Sequence, residues 1–223
     1  PGGKVFTRDE LAALAEVVAR HDGARVFAAE VHAPILVGDA AHVPYASVSE
    51  AAARQALTAT SASKAFTVPG LKCAQLIITN DDDQRIVTEQ GPLFGHGTST
   101  LGVVANIAAY RDGGAWLDAF CDYLRGTIVG VAERLDARIP TARFVAPEGS
   151  YVGWTDLTGT PFPGGAEPRE LDLGEWFREH AGVALTDGRA CGAAGAGGVR
   201  MILATPRPIA LDVIDRMADA LHA

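Results

Sequence analysis

The residues best placed to do chemistry lie in Thr58-Ala59-Thr60-Ser61-Ala62-Ser63-Lys64-Ala65-Phe66. A short apolar strand over 57–60 runs into a hydroxyl-rich turn with a lysine at its tip. Hydroxyls at such a turn can hydrogen-bond phosphate oxygens. A lysine amine there can form a Schiff base with an aldehyde. Open α/β sheets bind ligands at the carboxyl ends of their strands, which is where this turn sits. By itself the pattern also fits an exposed loop lysine. The Ser-x-x-Lys spacing of serine acyl enzymes is present without that class's partner motifs.

The elements that must hold this turn can be read on both sides of it. Thr7-Arg8-Asp9-Glu10 is a capping box, in which the Thr7 hydroxyl and the Glu10 carboxylate satisfy each other's backbone N–H groups. Leu11, Leu14, Val17 and Val18 follow at helical spacing, and Gly23 suits the stop. Residues 25–31 form a short apolar run, Ser49 caps an Ala-rich helix through Ala56, and residues 74–79 form a third strand. This strand–helix–strand order predicts a parallel α/β sheet.

The second half reads differently. Residues 98–110 are helical. Trp116, Phe120, Leu124, Ile128, Val131 and Leu135 recur at three- and four-residue steps, predicting one long helix with its stripe in a core. Short strands near 142–145, 151–157 and 199–204 and helices over 175–180 and 209–221 give an α+β layout. The domain reading is therefore 1–112 and 113–223. The Gly/Ala-rich segment 190–198 lacks the strand–loop–helix order of a dinucleotide fingerprint.

Composition excludes several classes. The 223 residues are 48% apolar and 21% charged, which is globular rather than disordered. A net charge of −8 argues against nucleic-acid binding, which needs a basic surface. No apolar run approaches the roughly 18 residues of a membrane span, and the start carries no signal-peptide core. Cys73, Cys121 and Cys191 are too scattered for a zinc site or disulfide framework, and point to a cytoplasmic chain. Asp81-Asp82-Asp83 reads as a solvated helix start, not a metal loop.

Several motifs in order carry a family resemblance from end to end. They are Pro1-Gly2-Gly3-Lys4-Val5, Glu30-Val31-His32, His42-Val43-Pro44-Tyr45-Ala46-Ser47, Ser61-Ala62-Ser63-Lys64-Ala65-Phe66, Ala108-Ala109-Tyr110, Trp116-Leu117, Pro147-Glu148-Gly149-Ser150-Tyr151, Val199-Arg200-Met201 and Pro206-Arg207. The chain resembles the C-terminal part of class I/II aminotransferase-fold enzymes that use pyridoxal 5'-phosphate, above all the MalY/PatB-type C–S lyases, or cystathionine β-lyases. The resemblance implies an α/β fold: part of the fold type I large domain with a mostly parallel sheet, then a smaller α+β C-terminal domain.

It also implies roles. Lys64 matches the lysine that holds the cofactor as a Schiff base and moves the α-proton. Ser61 matches a phosphate-contacting hydroxyl, and Lys72 stands where related enzymes place a basic phosphate contact. His32 matches a side chain near the cofactor's phenolic oxygen. Arg200 matches the arginine that grips the substrate carboxylate, a planar fork suited to bidentate pairing. The implied reaction eliminates a thiol from an amino-acid or thioether substrate, leaving pyruvate and ammonia, with transamination as the sibling outcome. The implied assembly is a homodimer without nucleic-acid or membrane partners.

Four positions depart from the family. Ala29 replaces the aspartate that pairs with the pyridinium nitrogen, Thr67 and Ile202 replace asparagines, and Gly2 replaces a threonine. A start just inside the Asn-Pro-Thr-Gly signature also reads as a C-terminal fragment. The competing expectation is a catalytically inactive remnant, or a ligand-sensing or interaction domain of the same fold.

Overall fold

The computed structural model describes residues 2–91 and 95–223. Contacts divide it into two units. One is Val5–Phe120, and the other is Cys121–Ala223 with the segment through Lys4.

In the first unit the capping box forms as read. Glu10 N–H donates to Thr7 Oγ1 at 3.3 Å, and Thr7 N–H donates to Glu10 Oε2 at 3.0 Å. Helix α1 (Arg8–Val18) starts there. Ser49 caps α2 (Glu50–Gln55) by accepting from Ala52 N–H. Ala15, Tyr45, Ala52 and Ala56 form a small apolar cluster, and Val26 and Ala28 of strand β1 (Val26–Ala29) pack on it.

Strand β1 runs parallel to β2 (Ala56–Thr60), as expected. Strand β3 (Gln75–Ile78) runs antiparallel to β2, with Thr60 opposite Gln75. The order is β1-β2-β3, so the sheet is mixed, where a mostly parallel one was expected. A parallel return needs a crossover that carries the chain back along the sheet, usually a helix. Between β2 and β3 lie only the single-turn helix α3 (Ala62–Ala65) and a 3₁₀ turn, so the chain doubles back at the same end. The other face of the sheet is open, with Phe27 64% exposed.

Asp81-Asp82-Asp83 opens α4 (Asp81–Glu89), capped by Asn80. Helix α5 (Thr100–Asp112) follows, and then α6 (Gly114–Arg138). The aromatic end of the α6 stripe is not core. Trp116 is 46% exposed and stacks on Phe120 and on Phe66, with centroids at 5.4 and 5.8 Å.

In the second unit Leu124, Val131 and Leu135 of α6 are almost wholly buried, as are Ile214 and Met217 of α8 (Arg207–Leu221). Each such side chain stabilises by roughly 1.5–3 kcal/mol. Arg134 reaches Asp215 at 2.6 Å, tying α6 to α8. The sheet is wholly antiparallel, in the order β4 (Arg143–Phe144), β5 (Val152–Asp156), β7 (Gly198–Ile202), β6 (Thr186–Asp187). Helix α7 (Leu173–His180) contributes the buried Leu173 and Phe177. The Gly/Ala-rich segment has a packing explanation: a side chain on Gly188 or Gly195 would meet the other's backbone carbonyl, and one on Gly198 would meet the Trp154 ring.

Candidate functional site

The first unit gathers its polar residues at one end of the β1-β2-β3 sheet. That end is formed by the carboxyl ends of β1 and β2 and the start of β3. Glu30 and His32 leave β1 there, the turn from Ser61 to Lys64 leaves β2, and Lys72 precedes β3.

Ser61 caps α3. Its Oγ accepts from Ser63 N–H at 3.0 Å and donates to the Cys73 carbonyl at 2.6 Å, and Ser63 Oγ lies 2.7 Å away. Ser61 is buried and its hydroxyl is fully engaged in bracing the turn. Lys64 is half-buried on α3. Lys72 is exposed and left-handed, at φ 46°. Thr67 is also left-handed, at φ 54°, an unusual place for a β-branched residue.

His32 is half-buried in the turn after β1, and its carbonyl accepts from Ile35 N–H at 2.9 Å. The Glu30 carboxylate accepts from Tyr45 N–H at 2.8 Å and pairs with His42 Nε2 at 3.1 Å. Ala29 is exposed at the end of β1 and offers no acceptor.

Arg200 belongs to the second unit. It sits on the interior strand β7, opposite Trp154 on one side and Thr186 on the other. Its Nε is buried and has no hydrogen-bond partner. With Ile202, Met201, Ile209 and Val213 it lines a cavity of about 350 Å³. A buried guanidinium donor beside an apolar wall suits a carboxylate on an apolar body. Burial pushes the Tyr151 phenol up, and the Arg200 charge pulls it partly back. In the same unit the carbonyl of Gly3, at φ 72°, accepts from Glu148 and Gly149 N–H at 2.8 and 3.1 Å, joining two of the quoted motifs. Pro1 lies outside the described residues.

Among the described residues no cluster of His, Cys, Asp and Glu could hold a metal, and no helix is long and apolar enough to cross a membrane.

Sequence reasoning missed Asn106 of α5. This residue is 4% exposed, and its Oδ1 accepts from Ala62 N–H at 3.0 Å. A lone amide in the apolar run Val103-Val104-Ala105-Asn106-Ile107 was the available signal.

Residues 1–214 match the family model described as aminotransferase class I and II. A provisionally named cystathionine beta-lyase of Mycobacterium tuberculosis is 38% identical over 99% of this chain and 56% of its own length. Protein MalY of Escherichia coli is 34% identical over 93% of this chain and 51% of its own. The solved PLP-bound C–S lyase of Staphylococcus hominis superposes with a TM-score of 0.88 at 27% identity, covering 99% of this chain and 56% of that one. The chain thus spans about half the length of the curated relatives it matches.

Proposed function

Because this chain belongs to the aminotransferase class I and II family, we propose that it carries the reactive lysine and the substrate arginine of a pyridoxal-phosphate-dependent C–S β-lyase of the cystathionine β-lyase type, or of a sibling aminotransferase. The observation that carries the reading is Lys64: a half-buried amine on a single-turn helix at the carboxyl end of β2. The donor set at that end fits an aldehyde bearing a phosphate. Lys64 supplies the amine, Lys72 a cation, and Ser61 a hydroxyl, once it exchanges its bond to the Cys73 carbonyl for the phosphate.

Pyridoxal phosphate, when bound, supplies an electron sink for charge developing at the substrate's α-carbon. Lys64 Nζ takes the α-proton. Arg200 grips the substrate carboxylate with its guanidinium, and the apolar wall beside it takes a thioether side chain. His32 orients the cofactor's phenolic side. In this reading 1–112 is the cofactor part and 113–223 the small domain, the assembly is a cytoplasmic homodimer, and the substrate is a small amino acid or thioether.

Ala29 favours a second reading, an inactive or ligand-sensing domain of the same fold, because no carboxylate faces the ring nitrogen from that position. One experiment separates them. The chain is incubated with pyridoxal phosphate, reduced with borohydride and mapped by mass spectrometry. A stable adduct on Lys64, followed by thiol and pyruvate release from cystathionine, supports the lyase. An adduct without turnover supports the sensing domain, and absence of any Lys64 adduct removes the cofactor reading.

A further inference from the structure

We propose that Asn106 is the positioning residue for Lys64, an inference that rests on Lys64 being the reacting amine. Helix α3 is a single turn. A turn that short does not hold itself together, because nucleation fixes several residues for one hydrogen bond. Its first N–H groups have no intrahelical acceptors and need partners from elsewhere. Ser63 N–H uses Ser61 Oγ, a neighbour that moves with the turn. Ala62 N–H uses Asn106 Oδ1, which comes from 44 residues away on the 13-residue helix α5. Asn106 is therefore a long-range tie on the lysine-bearing turn.

The amide has one workable orientation. Its Nδ2 donates to the Gly102 carbonyl at 2.8 Å, while Oδ1 accepts from Ala62 N–H and, at 3.3 Å, from Gln75 Nε2. Flipping it would set donors against donors and an oxygen against a carbonyl. One turn earlier on the same helix, Gly102 has no room for a side chain: a Cβ would stand 2.3 Å from the Leu71 carbonyl and 2.8 Å from Cys73 Cβ. The Cys73 carbonyl is the group that Ser61 Oγ holds. One face of α5 thus fixes both the turn with Lys64 and the segment with Lys72.

A displacement of about 1 Å at a reacting group can cost on the order of 100-fold in rate. The chain has only three lysines, Lys4, Lys64 and Lys72, and Lys4 lies in the other unit, so Lys64 can be read against Lys4 as a reference in the same molecule. Two measurements are made on the wild type and on Asn106→Leu, Asn106→Ser and Asn106→Asp. The first is the rate of borohydride-trapped pyridoxal phosphate adduct at each lysine. The second, without cofactor, is the ¹³C-methyl NMR signal of each reductively methylated lysine.

Asn106→Leu and Asn106→Ser are expected to lower the Lys64 adduct rate about tenfold or more relative to Lys4. They are also expected to move the Lys64 methyl signal toward that of exposed Lys72. Asn106→Asp, with its buried carboxyl held protonated, keeps the acceptor for Ala62 N–H and offers an O–H to the Gly102 carbonyl, and is expected to restore both. Asn106→Ser, which leaves a small polar side chain, decides the matter if the leucine variant does not fold. An unchanged Lys64 signal and relative rate in a folded Leu or Ser variant overturns the proposal, as does failure of Asn106→Asp to restore the signal. If wild-type Lys64 forms no adduct, the cofactor reading falls while the methyl signal still decides the role of Asn106.

Discussion

Arg25 grips Asp83 across 58 residues of sequence, Nε donating at 2.6 Å to one carboxylate oxygen and Nη2 at 3.1 Å to the other. This bidentate pair joins the residue before β1 to the first turn of α4. The Arg25 guanidinium, and after it the Asn80 amide, hold the Asp83 carboxyl below its ordinary range. A depressed carboxylate stabilises the fold above its unfolded pKa of about 4 and loses that contribution as pH falls through the folded value. The Arg25 side chain is 36% exposed, so solvent screening keeps the pair to about 0.5–1 kcal/mol. Asp83→Asn is expected to lose that amount in urea denaturation at neutral pH, and the gap to wild type should close in acid.

Thr67 offers a gain. Its φ of 54° is a conformation that asparagine tolerates and a β-branched side chain resists. The residue is exposed, so a change there disturbs no core packing. Thr67→Asn is expected to stabilise by about 1 kcal/mol, roughly 2–4 °C in Tm for a chain of this size. Calorimetry showing no rise would mean that the strain is relieved elsewhere.

Much of the fold was legible, because capping and periodicity are local. The Thr7 capping box, the Ser49 cap and the extent of α6 were all readable from neighbouring residues. The direction of β3 was not, since strand polarity depends on whether the intervening segment can cross the sheet. Two-residue β6 was invisible because it exists only as a partner to β7. Trp116 looked like core because a stripe shows which side of a helix is apolar, not where its cover ends. At the candidate site the turn that carries Ser61 and Lys64 was readable from its strand end and hydroxyls. The role of Asn106 was not, because its partner lies 44 positions away.

Gly102 separates helix propensity from packing. Alanine in a helix interior gains up to about 1 kcal/mol over glycine. Here its methyl would meet the Leu71 carbonyl and Cys73. Gly102→Ala is expected to destabilise by about 1–3 kcal/mol. Gly70→Ala, where nothing lies within 4 Å, should stay near wild type. Chemical denaturation of both variants checks the contrast.

Ala29 is the place to test the missing carboxylate. It is exposed at the end of β1, so Ala29→Asp should change stability by no more than about 0.5 kcal/mol. In the proposed lyase a charge-assisted partner worth about 1–3 kcal/mol would raise turnover roughly 10–100-fold. Equal turnover in the two proteins, measured as pyruvate release, would count against a defect at this position.

Arg200 occupies a strand with a neighbour on each side, whereas Lys64 rides on one helical turn. Backbone amides in an interior strand open only with large-scale unfolding, while those in a single turn open by local fluctuation. In deuterium exchange the Arg200 amide should therefore persist long after that of Lys64 has exchanged. In the proposed lyase the substrate arginine then stands on the slow part of the molecule and the amine on the fast part. Mild denaturant should therefore erase amine reactivity while the Arg200 strand is still intact.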